Sequence, residues 1–267
     1  MKTVPFRNTQ VAYEVEGRGF PVVLLHGFCA DSRVWEDFRL DLLEENYRVI
    51  TVDLPGFGQS GVLANPPTVQ DYAQAVIQVL DEKPFEEVII IGHSMGGYVA
   101  CALAEMIPKR LRGIGLFHSQ PYADTEEKRA ARQKQMDFIR SCGHELYVKQ
   151  LIPKLFPPDF DKTNSFDIDK QIYRAAQHEA AGVIGGLQAM VSRPDRSSVL
   201  AKAAFPVLFI VGALDEAIPT ENSQSQLALP AVAKVHVLPK VAHMGMVESR
   251  KATQRMVRQF VEYCLGS

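Results

Sequence analysis

Six short runs of aliphatic and β-branched residues punctuate the chain: Val22–Leu25, Arg48–Val52, Val88–Ile91, Gly113–Phe117, Pro206–Val211 and Val235–Leu238. In VIII and VLFIV every position is apolar, rather than every second one. That is the pattern of strands buried on both faces, as in a parallel sheet covered by helices. Between the runs, apolar residues recur at helical spacing over about Val34–Glu45, Val69–Glu82, Met95–Met106, Glu221–Leu229 and Val247–Leu265. Val4–Val15 reads as a strand pair leading into Val22. Alternating strands and helices predict a doubly wound α/β fold.

One stretch breaks the alternation. Residues 120–200 hold 12 Lys/Arg and 11 Asp/Glu, a denser charge than the 22% of the whole chain, and no strand-like run. Asp124-Thr-Glu-Glu127 carries a capping-box signature for a helix running to Gly143 as its C-cap. Pro153, Pro157 and Pro158 interrupt the next segment, and Phe166–Ala181 is helical again in pattern. Residues 120–200 are therefore expected to be a helical lid inserted into a core formed by 1–119 and 201–267. Its nearly balanced charge predicts no cationic clamp for a polyanion.

Composition excludes several classes. The 267 residues are 46% hydrophobic with a net charge of −2, the balance of an ordinary globule. No Lys/Arg run supplies the electrostatic footprint of nucleic-acid or anionic-membrane binding. The longest mostly apolar run, Ala203 to Leu214, contains Pro206 and Gly212 and falls short of the ~20 residues that span a bilayer. The segment MKTVPFRNTQVAYEVEG has no signal-type apolar region. Cys29, Cys101, Cys142 and Cys264 are scattered without metal-ligand spacing, so a cytoplasmic protein with reduced thiols and no metal is expected.

The candidate chemistry lies at the ends of the strand-like runs. Gly92-His-Ser94-Met-Gly96-Gly follows VIII and precedes the helical YVACALAEM, which is G-x-S-x-G in its strand–turn–helix context. A serine there is lifted out of the sheet on a sharp turn. Its glycines remove side chains where strand and helix pass closely. A serine hydroxyl needs a base, and the base needs an orienting group. In this arrangement the carboxylate and then the histidine follow in chain order, each just past a strand. Asp215 follows PVLFIV, with Glu216 as the competing carboxylate, and His243 follows VHVL. Ser94, Asp215 and His243 are thus expected as nucleophile, acid and base. His26-Gly27-Phe28 closes VVLL, and the backbone N–H groups of Phe28 and Met95 are expected to form an oxyanion hole.

Other residues are read as structural. Asp53 is expected to hydrogen-bond within DLPGFGQS, and His26 to order its own loop. His93 sits on the wrong side of Ser94 to serve as its base. His118, His144 and His178 lack ligand-spaced partners, and His236 falls in a strand. Cys29 is a small packing residue, and Trp35 and Phe38 belong to the core. Tyr122, Phe138, Phe156 and Phe160 are expected to line an acyl pocket from the lid.

HGF at 26–28, DLPGFGQS at 53–60, GHSMGG at 92–97, GALDEAIP at 212–219 and Ala242-His243 together resemble the α/β-hydrolase superfamily. The resemblance covers nearly the whole chain outside 120–200. It implies a mostly parallel eight-stranded sheet flanked by helices, with a helical lid inserted after the sixth strand. It also carries the roles of nucleophile, acid, base and oxyanion donors onto the five residues already named. AMVSRPDRSSVL at 189–200 is similar to the lid exit of enol-lactonases and small esterases. Serine at 94 argues against the dehalogenase and epoxide hydrolase branches, which place aspartate there. The expected activity is hydrolysis of a small, largely apolar ester or lactone, with no cofactor. Alternatives are carbon–carbon bond hydrolysis or cofactor-free perhydrolysis on the same triad, or a slow-turnover ligand receptor.

Overall fold

The N-terminal apolar positions pair as a hairpin at the edge of the sheet. In the computed structural model, which describes residues 1–266 except Pro84 and Pro219, β1 (Lys2–Phe6) runs antiparallel to β2 (Thr9–Glu16). Pro219, the last residue of the sequence motif opened by Gly212, therefore lies outside the described residues. β2 is antiparallel to β4 (Arg48–Val52), with Tyr13 opposite Val52. The remaining strands are parallel: β3 (Pro21–Leu25), β5 (Val88–His93), β6 (Leu111–Phe117), β7 (Val207–Gly212) and β8 (Ala233–Leu238). The eight strands lie in the order β1-β2-β4-β3-β5-β6-β7-β8. This is the expected mostly parallel eight-stranded sheet.

The burial of each strand explains its composition. Every residue of β3, β5 and β7 is buried, so no polar alternation survives there. β8 is the far edge strand, and Val235 and Val237 stay exposed on it. The connection out of β3 goes to β4 on one side, and the next strand, β5, lies on the other. The crevice beyond the carboxyl ends of β3 and β5 is thus a switch point, where open α/β sheets bind ligands. His26–Phe28 and Ser94 both emerge there.

Two helix layers cover the sheet. α1 (Glu36–Glu44) packs on α11 (Arg250–Leu265), and α2 (Val69–Asp81) packs on α3 (Met95–Met106). A capping box starts α2: Thr68 Oγ1 accepts from the Asp71 N–H at 3.2 Å, and the Asp71 carboxylate accepts from the Thr68 N–H at 2.7 Å. Two predicted helices are broken in the structure. Ser32–Trp35 forms a separate 3₁₀ turn ahead of α1. α10 (Gly245–Glu248) is divided from α11 by Ser249, whose φ of −139° and ψ of 49° are not helical.

Between β6 and β7 the chain forms helices alone among the described residues: α4 (Glu126–Cys142), α5 (His144–Leu151), α6 (Asp161–Ala176), α7 (Ala180–Ser192) and α8 (Ser197–Ala201). The cap of α4 is Thr125 rather than Asp124, and Gly143 closes the helix as expected. Asp124 is buried instead against two guanidiniums: Arg132 Nε lies 2.6 Å away and Arg193 Nη2 2.8 Å away. The predicted segment Phe166–Ala181 is split at residues 177–179, and α9 (Thr220–Gln226) follows β7. No helix among the described residues is long and apolar enough to cross a membrane.

Trp35 is fully buried, as expected of a core residue. Its ring meets Phe38 at 5.2 Å, Phe117 at 5.8 Å and His93 at 6.5 Å between centroids. Trp35→Ala removes the largest of these rings from beneath the strand ends. We expect it to cost about 3–5 kcal/mol in urea unfolding. A loss below ~1 kcal/mol would show that this cluster does not carry the core.

Candidate active site

Ser94 stands at the junction of β5 and α3 with φ 51° and ψ −115°, a conformation that side-chain-bearing residues avoid. Both of its peptide groups are held. The Ser94 N–H donates to the Phe117 carbonyl at 3.0 Å, and the Ser119 hydroxyl donates to the Ser94 carbonyl at 2.7 Å. A Cβ at Gly92 would run into the Gly96 carbonyl, and one at Gly96 would meet the Leu25 carbonyl at 2.5 Å. The G-x-S-x-G spacing therefore has a steric reason, and the serine is held in a strained turn by its neighbours.

Asp215 and His243 come from the loops after β7 and β8. His243 Nδ1 lies 2.8 Å from Asp215 Oδ2, with both side chains almost fully buried. A carboxylate oxygen accepts, so Nδ1 carries the proton and Nε2 of the neutral ring is left as an acceptor. Asp215 Oδ1 accepts from the N–H groups of Ala217 at 2.9 Å and Ile218 at 3.0 Å. Burial alone would raise the Asp215 carboxyl. The neighbouring His243 and the N–H donors outweigh it and hold the group below the usual carboxylate range. Glu216, the competing carboxylate, is exposed and makes no such bond among the described residues.

Two further histidines surround the pair as neutral rings. His93 Nε2 donates to the His243 carbonyl at 2.8 Å, and burial drives this imidazole well below its ordinary pKa. His118 Nδ1 accepts from the Gly212 N–H at 3.1 Å, and burial presses its pKa to about 3. Nδ1 of His118 also lies 3.7 Å from Asp215 Oδ2. A neutral ring whose Nδ1 is already accepting forms no ion pair there. Neither role was visible in sequence, because the partners are distant in the chain.

His26 and Asp53 hold backbone groups of the N-terminal loops, and Asp53 reaches Ser32 outside its own turn as well as Gln59 within it. His26 Nε2 accepts from the Leu54 N–H at 2.9 Å, and its Nδ1 donates to the Gly27 carbonyl at 2.8 Å. Asp53 accepts from the N–H groups of Ser32 and Gln59, both at 2.8 Å. Burial holds the Cys29 thiol well above its ordinary pKa, which suits a packing residue.

Ser94 and His243 line one cavity of about 260 Å³. Phe28 and Met244 border it, and Tyr147, Leu151, Ile152, Leu155 and Met190 form its apolar wall. The aromatic residues proposed for that wall lie elsewhere. Phe156 faces a separate hollow with Pro157 and Ile168, and Phe160 stacks on Phe156 at 4.9 Å. Tyr122 shares a hydrogen bond with Ser225, and Phe138 packs against the core. The balanced charge of residues 120–200 was also misleading. One face of α4 brings Lys128, Arg132 and Gln135 to the cavity, and no Asp or Glu of that stretch is among its lining residues. Position on a helix face matters here, and a sum over the insertion hides it. Among the described residues no cluster of His, Cys, Asp or Glu is suited to a metal.

The alpha/beta hydrolase fold family matches residues 21–249, and the chain belongs to that family. A pimeloyl-acyl-carrier-protein methyl ester esterase from Yersinia enterocolitica is 30% identical over 274 residues, covering 95% of this chain and 98% of the relative. The dihydrolipoyllysine-residue acetyltransferase component of the acetoin cleaving system from Cupriavidus necator is 29% identical over 247 residues. That match takes in 90% of this chain but only 63% of the relative's length, and the Pseudomonas putida counterpart is covered to 65%. Among solved structures, a malate-bound thermophilic esterase from Thermogutta terrifontis superposes with a TM-score of 0.91 at 27% identity, covering 96% of this chain and 94% of its own.

Sequence reasoning passed over Glu248, which is five residues beyond His243 and straddles its loop. One carboxylate oxygen accepts from the Ala242 N–H at 2.8 Å and the other from the Met244 N–H at 2.7 Å. Burial, outweighing those two donors, pushes the carboxyl up to about 7. The folded chain therefore binds this proton more tightly than the unfolded chain, whose group titrates near 4.5. Stability must fall, relative to Glu248→Gln, as pH rises from about 4.5 to about 7. Glutamine keeps only one of the two acceptor oxygens. We expect the variant to lose roughly 1–3 kcal/mol at pH 5 and to narrow that deficit by pH 8. A deficit that does not change with pH would show that Glu248 does not titrate in this range.

Proposed function

We propose that the protein is a serine hydrolase of small esters or lactones, with Ser94 as nucleophile, His243 as base and Asp215 as the group that orients the base. The observation that carries the reading is the 2.8 Å Asp215–His243 bond beside a cavity that Ser94, on its strained turn, also lines. The esterases among the relatives support the same bond class.

The chemistry follows from the geometry. Asp215 holds the His243 proton on Nδ1, so Nε2 is available to take the Ser94 hydroxyl proton as Oγ attacks the carbonyl carbon. The resulting oxyanion needs donors that are already in place. Met95 opens α3, where a helix N–H has no carbonyl four residues back to bond, and no protein group accepts from the Phe28 N–H among the described residues. These two amides are proposed as the oxyanion hole, worth about 3 kcal/mol each in the transition state. His243 then protonates the leaving alkoxide. Water attacks the acyl-serine with the same base, and Ser94 is regenerated.

Residues 120–200 act in this reading as a cap. Tyr147, Leu151, Ile152 and Leu155 supply an apolar wall to the cavity that Ser94 lines, which favours an apolar acyl segment there. The Leu155 carbonyl also accepts from the His243 N–H at 3.0 Å, so the cap and the base loop are tied together.

Ser94→Ala should abolish fluorophosphonate labelling and lower turnover of p-nitrophenyl esters by about 10⁶-fold. Asp215→Asn should cost about 10⁴-fold by favouring the wrong tautomer of His243, while Glu216→Gln stays within a few-fold of wild type. Full activity in Ser94→Ala would end the hydrolase reading. Severe loss in Glu216→Gln with mild loss in Asp215→Asn would move the acid by one residue.

A further inference from the structure

The cavity has two unlike walls. The α5 side is apolar, whereas α4 lays Lys128, Ala131, Arg132 and Gln135 along it at positions i, i+3, i+4 and i+7, one face of a helix. An ester pocket needing only apolar contacts has no use for a half-buried ammonium and guanidinium, which lose hydration by lying there.

The acidic groups nearby leave part of this positive charge unanswered. Asp124 is the carboxylate bonded to Arg132, and it is shared with Arg193, so one negative charge serves two guanidiniums. Arg193 spends its other donors on the carbonyls of Tyr122 and Met190 and lies over the Tyr98 ring at 4.0 Å. Asp215 is committed to His243 and two backbone N–H groups. Lys128 donates to the Ala217 carbonyl at 3.3 Å and forms no ion pair among the described residues. Glu216 lines the same cavity but is exposed, so water and salt screen it more than the half-buried cations. Loss of hydration also presses the Lys128 ammonium below its ordinary pKa, which a bound anion would reverse.

We propose that the cavity binds esters or lactones whose apolar arm ends in a carboxylate, and that Lys128 and Arg132 hold this anion on α4 while the carbonyl lies at Ser94. The proposal rests on the hydrolase reading for the reacting end and specifies the far end of the substrate. The apolar wall takes the methylenes, and Gln135 offers an amide beside the charged group.

The test compares p-nitrophenyl hemiesters of succinate, glutarate, adipate and suberate with the same compounds capped as neutral methyl esters. For the best-fitting length we expect kcat/KM to favour the free carboxylate by roughly 10–100-fold, the worth of one charged hydrogen bond. That ratio should shrink with added salt and fall about tenfold in Lys128→Gln. Lys128→Glu should carry it below one. Arg132→Gln should lower it too, but this change also strips Asp124 of a partner, so the Lys128 variants decide if that protein fails to fold. A second readout does not depend on turnover. Free glutarate and adipate should bind in calorimetry, and Lys128→Gln should weaken them about tenfold.

Hydrolysis of the neutral esters with Ser94 labelled, but a ratio at or below one for every length, would overturn the anion site and leave the hydrolase reading standing. Absence of both hydrolysis and Ser94 labelling would overturn the hydrolase reading. In that case calorimetry decides the anion site alone: dicarboxylate binding lost in Lys128→Gln supports it, and no binding overturns it.

Discussion

The hydrogen bond between Asp215 and His243 is the constraint around which the carboxyl end of the sheet is built. A buried carboxylate is costly unless its lone pairs are satisfied. Here one oxygen takes two backbone N–H groups from the loop after β7, and the other takes the imidazole from the loop after β8. The two loops meet because β7 and β8 are parallel neighbours, with Gly212 opposite Leu238. The base loop is then fixed from three further sides: His93 holds the His243 carbonyl, Leu155 its N–H, and Glu248 the amides on either side. Loss of the central bond would leave each of these supports positioning a ring with no fixed tautomer.

The surrounding histidines sharpen that bond. His93 and His118 lie within about 5–6 Å of the His243 ring, at centroid distances of 5.0 and 6.0 Å, and burial keeps both neutral. They fill space and make backbone hydrogen bonds without adding a cation that would compete for Asp215. The negative charge of Asp215 therefore acts on the His243 ring, the one proposed to become positive during acyl transfer. Strain is treated in the same way. The positive-φ Ser94 is held through its own backbone, by the Phe117 carbonyl of β6 and by the Ser119 hydroxyl, and neither bond uses the Ser94 hydroxyl.

Much of this was legible in the chain because the signals are local. VIII and VLFIV read as doubly buried strands, and the glycines around Ser94 mark an approach that only a missing side chain permits. Asp215 and His243 were found from their place after strands, and the structure joins them. The cap resisted such reading. Phe156 and Phe160 look like pocket residues by size, yet they stack on each other outside the cavity. Tyr147 on α5 and Leu155 in the 3₁₀ turn Ile152–Leu155 line it instead, and no short motif marks either. Asp124 resembled a helix cap because its neighbours fit a capping box. Its true partners, Arg132 and Arg193, lie 8 and 69 positions away and were beyond any local pattern. Glu248 was overlooked because its partners are backbone amides, which leave no mark on side-chain spacing.

The proposed chemistry is covalent, with the acyl group passing through Ser94. The most direct measurement is rapid acid quenching during turnover of a p-nitrophenyl ester, followed by mass mapping of the acylated peptide. One acyl group per chain is expected, on Ser94, appearing within the first turnover and decaying at the steady-state rate. Turnover with no acylated chain at any quench time, or an acyl group that forms at full rate on another residue, would contradict it.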